Sequence, residues 1–257
     1  MAESRQSPLR PLGGAGRLHR LRRAVRRCGS PLRALRVLPG PRRTPFTFWY
    51  LVVLLGTALY ARFGDPESVR AAVAGSSSDG WHLLHTPLRV LALSALWVAG
   101  PLWSPYLVAF TATLAPLERR IGPLRTAQVF AIGHVIATLI SELPIALGVL
   151  AGLLAPGELH RIDVGVSYGV LTCLGAVAGL LPRRLRVAVP LGAAAVLVHQ
   201  VFTGDDPVTA VGHPVSLLVG LVCWPWVRRW AAARVPERGP GGATRCPELS
   251  PAGPARS

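Results

Sequence analysis

The stretch Asp163-Val-Gly-Val-Ser-Tyr-Gly169 and its counterpart Gly212-His-Pro-Val-Ser-Leu-Leu-Val-Gly220 decide the fold. The first places Ser167 just inside the start of an apolar, glycine-rich segment, and the second places His213 just inside the start of another. If both segments cross a membrane in the same direction, Ser167 and His213 lie at similar depth on the same side. A serine hydroxyl becomes a good nucleophile when a nearby histidine takes its proton. The placement therefore predicts a nucleophile and its base.

The composition around these stretches indicates a one-domain protein that crosses a membrane several times. Of the 257 residues, 51% are hydrophobic, and the mean hydropathy is +0.41. Several apolar runs approach the roughly 20 residues that cross a bilayer as a helix. All 28 basic residues are arginine. Together with the abundant alanine, glycine and proline, this favours a bacterium with a GC-rich genome.

Positive charge is concentrated at the two ends of the chain. Residues 1–43 hold twelve arginines against one acid, and residues 228–257 hold six against two, whereas the part between them is nearly neutral. Basic tails beside an apolar body favour attraction to anionic lipid over binding to nucleic acid. We therefore expect an arginine-rich cytoplasmic tail over 1–44, a membrane domain over 45–227 and a second basic cytoplasmic tail over 228–257.

Six spans with both termini in the cytoplasm satisfy the positive-inside rule, because the arginine clusters then face inward and most acids outward. We expect a polar outer loop over 62–87, a half-inserted element over 88–100 and a short cationic inner loop over 118–125. Glu142 and Pro144 mark the end of the third span, and Asp163 is predicted to cap the fourth. The predicted spans are 45–61, 102–117, 126–143, 165–181, 187–202 and 208–227.

Small residues four positions apart predict that the fourth and sixth spans approach each other closely. Membrane helices use this spacing to bring their backbones together. The pairs are Gly165 with Gly169 and Gly175 with Gly179 in the fourth span, and Ser216 with Gly220 in the sixth.

The same residues resemble the rhomboid intramembrane serine proteases, whose serine sits in a G-x-S-G motif at the start of the fourth span. Gly165-Val-Ser167 matches that motif, with Tyr168 in place of its last glycine. His213-Pro-Val-Ser-Leu-Leu-Val-Gly220 is similar to the family's H-x-x-G-x-x-x-G in the sixth span. Leu117-Glu-Arg-Arg-Ile-Gly122 is similar to its L-E-R-x-x-G after the second span, and Arg89-Val-Leu-Ala-Leu-Ser-Ala-Leu resembles the segment that leads into that span.

The resemblance covers about residues 46–227 and implies an all-α bundle of six transmembrane helices. In such a protein Ser167 attacks a peptide bond in or near a substrate's transmembrane segment. His213 takes the serine proton and returns it to the leaving amine. No metal or cofactor is implied, and the expected partners are transmembrane substrates or clients and membrane lipids.

One part of the family pattern is missing. The second span of the family carries H-x-x-x-N, whose side chains help to bind the oxyanion, whereas the corresponding stretch here is Leu102-Trp-Ser-Pro-Tyr106. Losing one oxyanion donor commonly costs about 100- to 1000-fold in rate. The candidate substitutes are the backbone N–H of Ser167 and groups of Trp103, Ser104 or Tyr106.

Two other functions remain open. A catalytically inactive rhomboid-like protein would bind transmembrane segments with the same scaffold. A small transporter or channel would use His134, His199 and Glu142, since ionisable groups within a membrane are often functional. His82 and His85 are expected to be solvated in the outer loop. The bacterial plasma membrane is the expected location, with the mitochondrial inner membrane as the alternative.

Overall fold

The computed structural model describes residues 38–98, 105–203 and 206–234, and within this part it leaves out the side chains of 105–107. In the described part, 80% of residues are helical and no strand occurs, which confirms the all-α prediction. The α-helices of this part are α1 Pro45–Phe63, α2 Pro66–Ala74, α3 Gly80–His85, α4 Pro87–Leu93, α5 Pro105–Ile121, α6 Pro123–Leu150, α7 Ser167–Ala178, α8 Arg183–Thr203, α9 Pro207–Val222 and α10 Trp224–Ala232. Two 3₁₀ turns, Ser94–Leu96 and Pro156–His160, follow α4 and α6.

Each of the six predicted spans corresponds to a helix, namely α1, α5, α6, α7, α8 and the pair α9–α10. By length and composition α1, α6 and α8 can each cross a membrane, and α9 with α10 forms a fourth candidate that bends by 44°. The protein is therefore a multi-pass membrane protein built as a helical bundle. The helix α7 is apolar but has only 12 residues, or about 18 Å at 1.5 Å per residue, against about 30 Å of hydrocarbon.

The short helix α7 lies at the centre of the bundle, where it contacts α5, α6, α8 and α9. It is apolar on every side, as expected for a helix surrounded by other helices. Its residues Val170, Cys173 and Ala176 join Phe110 of α5 and Phe130 of α6 in the main core cluster. The helices that surround α7 therefore determine the position of Ser167, which is the first residue of α7.

Glycines let α7 and α9 touch through their backbones. A Cβ on Gly175 would meet the Leu217 carbonyl oxygen at 2.6 Å, and a Cβ on Gly220 would meet Gly175 Cα at 2.9 Å. The Thr172 hydroxyl adds a hydrogen bond to the Ser216 carbonyl at 2.9 Å. The predicted close packing of the fourth and sixth spans is thus found at Gly175 and Gly220.

The predicted inner loop over 118–125 is wrong, because only Gly122 lies between α5 and α6. A φ of +94° at Gly122 makes this abrupt turn, in a region that favours glycine. Glu118 is 1% exposed, and its carboxylate accepts hydrogen bonds from the backbone N–H groups of Phe46 and Thr47 and from the Thr47 hydroxyl. The first turn of α1 is therefore capped by a carboxylate of α5, which satisfies N–H groups that have no partner within their own helix.

The predicted end of the third span near Pro144 is also wrong, since α6 continues to Leu150. A proline is tolerated within a membrane helix where neighbouring elements support it. Here α3 packs on the extra turns of α6. Ala146 of α6 lies against the backbone of Gly80, and glycine has no side chain that would keep the two helices apart. Tertiary packing therefore overrides the local stop signal, and Glu142 lies within the helix, fully buried in the bundle.

The predicted outer loop over 62–87 forms the helices α2 and α3 with a buried segment between them. Ser77 and Ser78 of that segment are 0% and 1% exposed. The Ser78 N–H donates to the Asp163 carbonyl at 2.8 Å, and the Asp163 N–H donates to Ser77 Oγ at 3.0 Å. These bonds attach the segment to the residues just before α7. The element predicted over 88–100 contains the short helix α4 and its 3₁₀ turn.

The predictions for the two basic tails fall largely outside the described residues. This holds for positions 1–37 and 235–257, and also for Trp103 and Ser104. Residues 228–232, assigned above to the second tail, belong to α10.

Candidate functional site

Ser167 is the first residue of α7, half-buried, at the end of an extended segment held against the 3₁₀ turn. The Gly165 N–H donates to the Ser94 carbonyl at 2.9 Å, and the Val166 N–H donates to the Trp97 carbonyl at 3.1 Å. Gly165 has a φ of +155°, a conformation that L side chains rarely adopt. Gly165 of the predicted motif is thus required, because the backbone adopts this conformation just before Ser167.

Asp163 does not cap α7, contrary to prediction. Val166 occupies the N-cap position, without a side-chain hydrogen bond, because the chain enters the helix along the extended segment. The Asp163 carboxylate instead accepts a hydrogen bond from Ser78 Oγ at 3.1 Å. Burial raises the pKa of Asp163 above its ordinary value, and the hydrogen bond from Ser78 partly opposes this rise.

His213 lies in the second turn of α9 and is 6% exposed. The Tyr168 ring packs edge-to-face against its imidazole, with centroids 5.6 Å apart and an interplanar angle of 82°. A side chain at Gly212 would run into the Tyr168 ring, so this glycine lets the tyrosine reach the histidine. Tyr168, which replaces the last glycine of the G-x-S-G motif, therefore positions the His213 ring.

Ser167 and His213 line one cavity of about 100 Å³. This volume is large enough to hold several water molecules. A hydrogen bond between a catalytic serine and its histidine is often long or poorly aligned until substrate binds. The other lining residues are Ser78, His134, Asp163, Val164, Gly165, Val166, Tyr168 and Thr209.

Ser167 and His213 also border a larger apolar groove of about 350 Å³ that lies between α5, α7, α8 and α9. Its walls include Ala109 and Ala112 of α5 and Val196 of α8. The two residues therefore stand where a polar cavity and a largely apolar groove meet.

An ion pair between Arg161 and Asp206 joins the segment before α7 to the start of α9. Asp206 also accepts a hydrogen bond from the Thr209 N–H and so caps α9. Both side chains are partly exposed, so the pair is worth about 0–1 kcal/mol. The ion pair mainly fixes the geometry, because it holds the segment before α7 against the start of α9, and these two helices carry Ser167 and His213.

His134 of α6 reaches the same cavity and is 3% exposed. Its Nε2 shares a hydrogen bond with Ser94 Oγ at 3.1 Å, and its Nδ1 has no partner in the described part. Neither Ser94 nor Ser78 was predicted from the sequence to belong to the site. Ser94 could have been noticed as a lone serine in an apolar run. The sequence offers no such signal for Ser78, because Ser78 lies in a polar segment.

The residues proposed for transport are not brought together. His134 is buried in the bundle, whereas the His199 side chain is exposed on α8. Glu142 is fully buried on the His134 face of α6, two turns further along, and neither carboxylate oxygen has a partner among the described groups. His82 bonds Asp79 at 2.9 Å, whereas His85 is exposed.

Replacing Glu142 with glutamine is expected to increase the free energy of unfolding by about 1–3 kcal/mol. A carboxyl without a partner must be buried with its charge or take up a proton on folding, and a neutral amide avoids both costs. Thermal unfolding in detergent measures the change. Glu158→Gln is the matched control, because Glu158 is partly exposed and pairs with Arg161. A less stable Glu142→Gln variant would contradict the argument.

Comparison with known proteins identifies the family. The model of the family described as rhomboid-like protein matches residues 41–233. The chain belongs to this rhomboid-like family, and the match covers the whole helical bundle. No curated protein and no solved structure matches it.

Proposed function

We propose that this protein is an intramembrane serine peptidase that cleaves transmembrane segments with Ser167 and His213. One observation carries the proposal: both residues border the polar cavity and the apolar groove at once. Hydrolysis within a membrane needs water on one side of the nucleophile and an apolar path for the substrate on the other.

In the proposed reaction the Ser167 hydroxyl attacks the scissile carbonyl while His213 Nδ1 or Nε2 accepts its proton. The histidine then protonates the leaving amine, and a water from the cavity releases the acyl group. The N–H groups of the first turn of α7 have no partner within their helix. The Ser167 N–H is therefore the available candidate for binding the oxyanion.

We also propose that the protein lies in a bacterial plasma membrane with both termini in the cytoplasm. The contact between Gly122 and Arg234 and the bond from Arg228 to the Gly179 carbonyl bring basic chain segments to one end of the bundle. Asp79, Asp163 and Asp206 cluster at the other end. The positive-inside rule favours the arginine-rich end as cytoplasmic.

The second candidate is a catalytically inactive rhomboid-like protein that binds transmembrane segments. It is favoured by the absence of H-x-x-x-N over residues 102–106.

Labelling with a fluorophosphonate probe tests the proposal on the purified full-length protein in mild detergent. We expect the wild type to be labelled, and labelling to be lost in both Ser167→Ala and His213→Ala, because the probe reacts with an activated serine. Ser78→Ala is the matched control, since Ser78 lines the same cavity. Labelling that survives Ser167→Ala would overturn the assignment. A folded, unlabelled wild type, beside an active rhomboid that is labelled, would favour the binding function.

A further inference from the structure

A basic cavity lies at the arginine-rich end of the bundle, between the α5–α6 turn and the end of α10. It measures about 360 Å³ and is lined by Arg125 and Arg234 together with the backbone around Gly122. The Arg234 guanidinium fills the space that a side chain at Gly122 would need, since its Cζ lies 2.6 Å from that Cβ position. In the described part no carboxylate forms an ion pair with either arginine.

An apolar groove of about 650 Å³ runs along α6, α9 and α10 from the same end. Its volume falls within the about 300–1,000 Å³ typical of ligand sites. The lining residues are all apolar, namely Val129, Ile132, Ile136, Ile140, Val215, Leu218, Val219, Val222, Cys223, Trp226 and Trp230. Between Val129 and Ile140 the groove follows α6 for about 16 Å, which equals about half of the hydrocarbon thickness.

Trp230 connects the basic cavity to the apolar groove. Its ring lines the groove, and the Arg125 guanidinium lies over that ring at 5.5 Å from the centroid. Arg125 also donates to the Trp230 carbonyl at 3.5 Å. An amphipathic molecule with an anionic head and an apolar tail would span both sites.

We propose that this site binds one anionic phospholipid, with its phosphate between Arg125 and Arg234 and one acyl chain in the groove. The length of the groove matches the depth of one leaflet. The two arginines, which form no ion pair within residues 38–98, 105–203 and 206–234, lie where a headgroup of that leaflet would be. Tryptophan is enriched at this level of a membrane, and basic pockets between helices bind anionic headgroups. The headgroup site is separate from Ser167 and His213, which lie at the opposite end of α7 and α9, although the groove extends to Val215, two residues after His213.

Native mass spectrometry of the full-length protein in detergent tests this site, with phosphatidylglycerol and phosphatidylcholine of equal chain length as probes. We expect one bound phosphatidylglycerol, preferred over phosphatidylcholine. Arg125→Ala with Arg234→Ala is expected to weaken its binding about 30-fold, since each basic residue contributes about fivefold. The matched control is Arg62→Ala with Arg70→Ala, two exposed arginines on α1 and α2 that lie outside both cavities.

A second variant tests the acyl-chain groove separately from the headgroup site. Ile136→Trp fills the groove and is expected to weaken the binding of both lipids without changing the fold, as checked by circular dichroism. Equal binding of the two lipids, or binding that survives the double arginine variant, would overturn the proposal. Inorganic phosphate that competes fully with the lipid would show an anion site only. A second copy of the chain or another protein in the groove would also overturn it.

Discussion

Replacing Gly220 with alanine is expected to lower the free energy of unfolding by about 3 kcal/mol, near the upper end of the usual cost of overpacking. The new Cβ would lie 2.9 Å from Gly175 Cα and 3.0 Å from the Ala176 nitrogen, and it would also run into the Thr172 carbonyl. All of these are backbone atoms, so no side chain can rotate away. The helices α7 and α9 would have to separate, which would also stretch the bond from Thr172 to Ser216. Thermal or denaturant-induced unfolding in detergent measures the loss.

Gly192→Ala is the matched control for this substitution. Gly192 lies within α8, and apart from its chain neighbours and the adjacent backbone of α8, a Cβ there would have no described atom within 4 Å. Alanine is the better helix former by about 1 kcal/mol, so this variant should be as stable as the wild type or slightly more stable. Equal stability losses for Gly192→Ala and Gly220→Ala would contradict the proposed role of the α7–α9 contact.

Replacing Glu118 with alanine is expected to cost about 3–4 kcal/mol. The substitution removes the acceptor of three hydrogen bonds, at 2.9 Å from the Phe46 N–H, 2.8 Å from the Thr47 N–H and 2.6 Å from the Thr47 hydroxyl. A buried donor left without a partner costs about 1–3 kcal/mol, and the two N–H groups cannot turn toward another acceptor. Thermal unfolding should show the loss, and the start of α1 should become more sensitive to protease.

The control is Glu67→Ala, because Glu67 is an exposed glutamate in the first turn of α2. Its stability should change by no more than about 0.5 kcal/mol, as is usual for a surface substitution. Glu118→Gln should lie between the two, since the amide keeps one acceptor oxygen but turns N–H groups toward donors. Wild-type stability of Glu118→Ala would exclude the capping role.

The bundle and its closest contact could be predicted from the sequence because they depend on local properties. Apolar runs, arginine clusters and small residues four positions apart each act within one or two helical turns. They predicted the six helical segments of the bundle and the close approach of the fourth segment to the sixth, which is found at Gly175 and Gly220. The chemical pair was likewise suggested by residue type and position. Ser167 and His213 do reach one cavity, while their catalytic roles stay a prediction.

What could not be predicted depends on partners distant in the sequence. Glu118 has the local sequence of a charged loop. Its carboxylate accepts hydrogen bonds from the start of α1, where Thr47 is 71 residues away. Asp163 has the residue type of a helix cap, yet the extended segment before α7 directs it to Ser78, 85 residues away. Pro144 is a local stop signal that the packing of Ala146 against Gly80 overrides.

The contacts of α7 also bear on how the protein is made. Thr172 finds its acceptor at Ser216, 44 residues later in the chain, and translation adds about 5–20 residues per second. The central helix therefore waits about 2–9 s after its own synthesis for α9, and the face of α7 that packs on α9 stays uncovered during that time. It is also too short to span the hydrocarbon unaided. Chains that stop before α9 should consequently leave α7 poorly retained in the bilayer, so that quality-control proteases can distinguish an unfinished chain from a complete one.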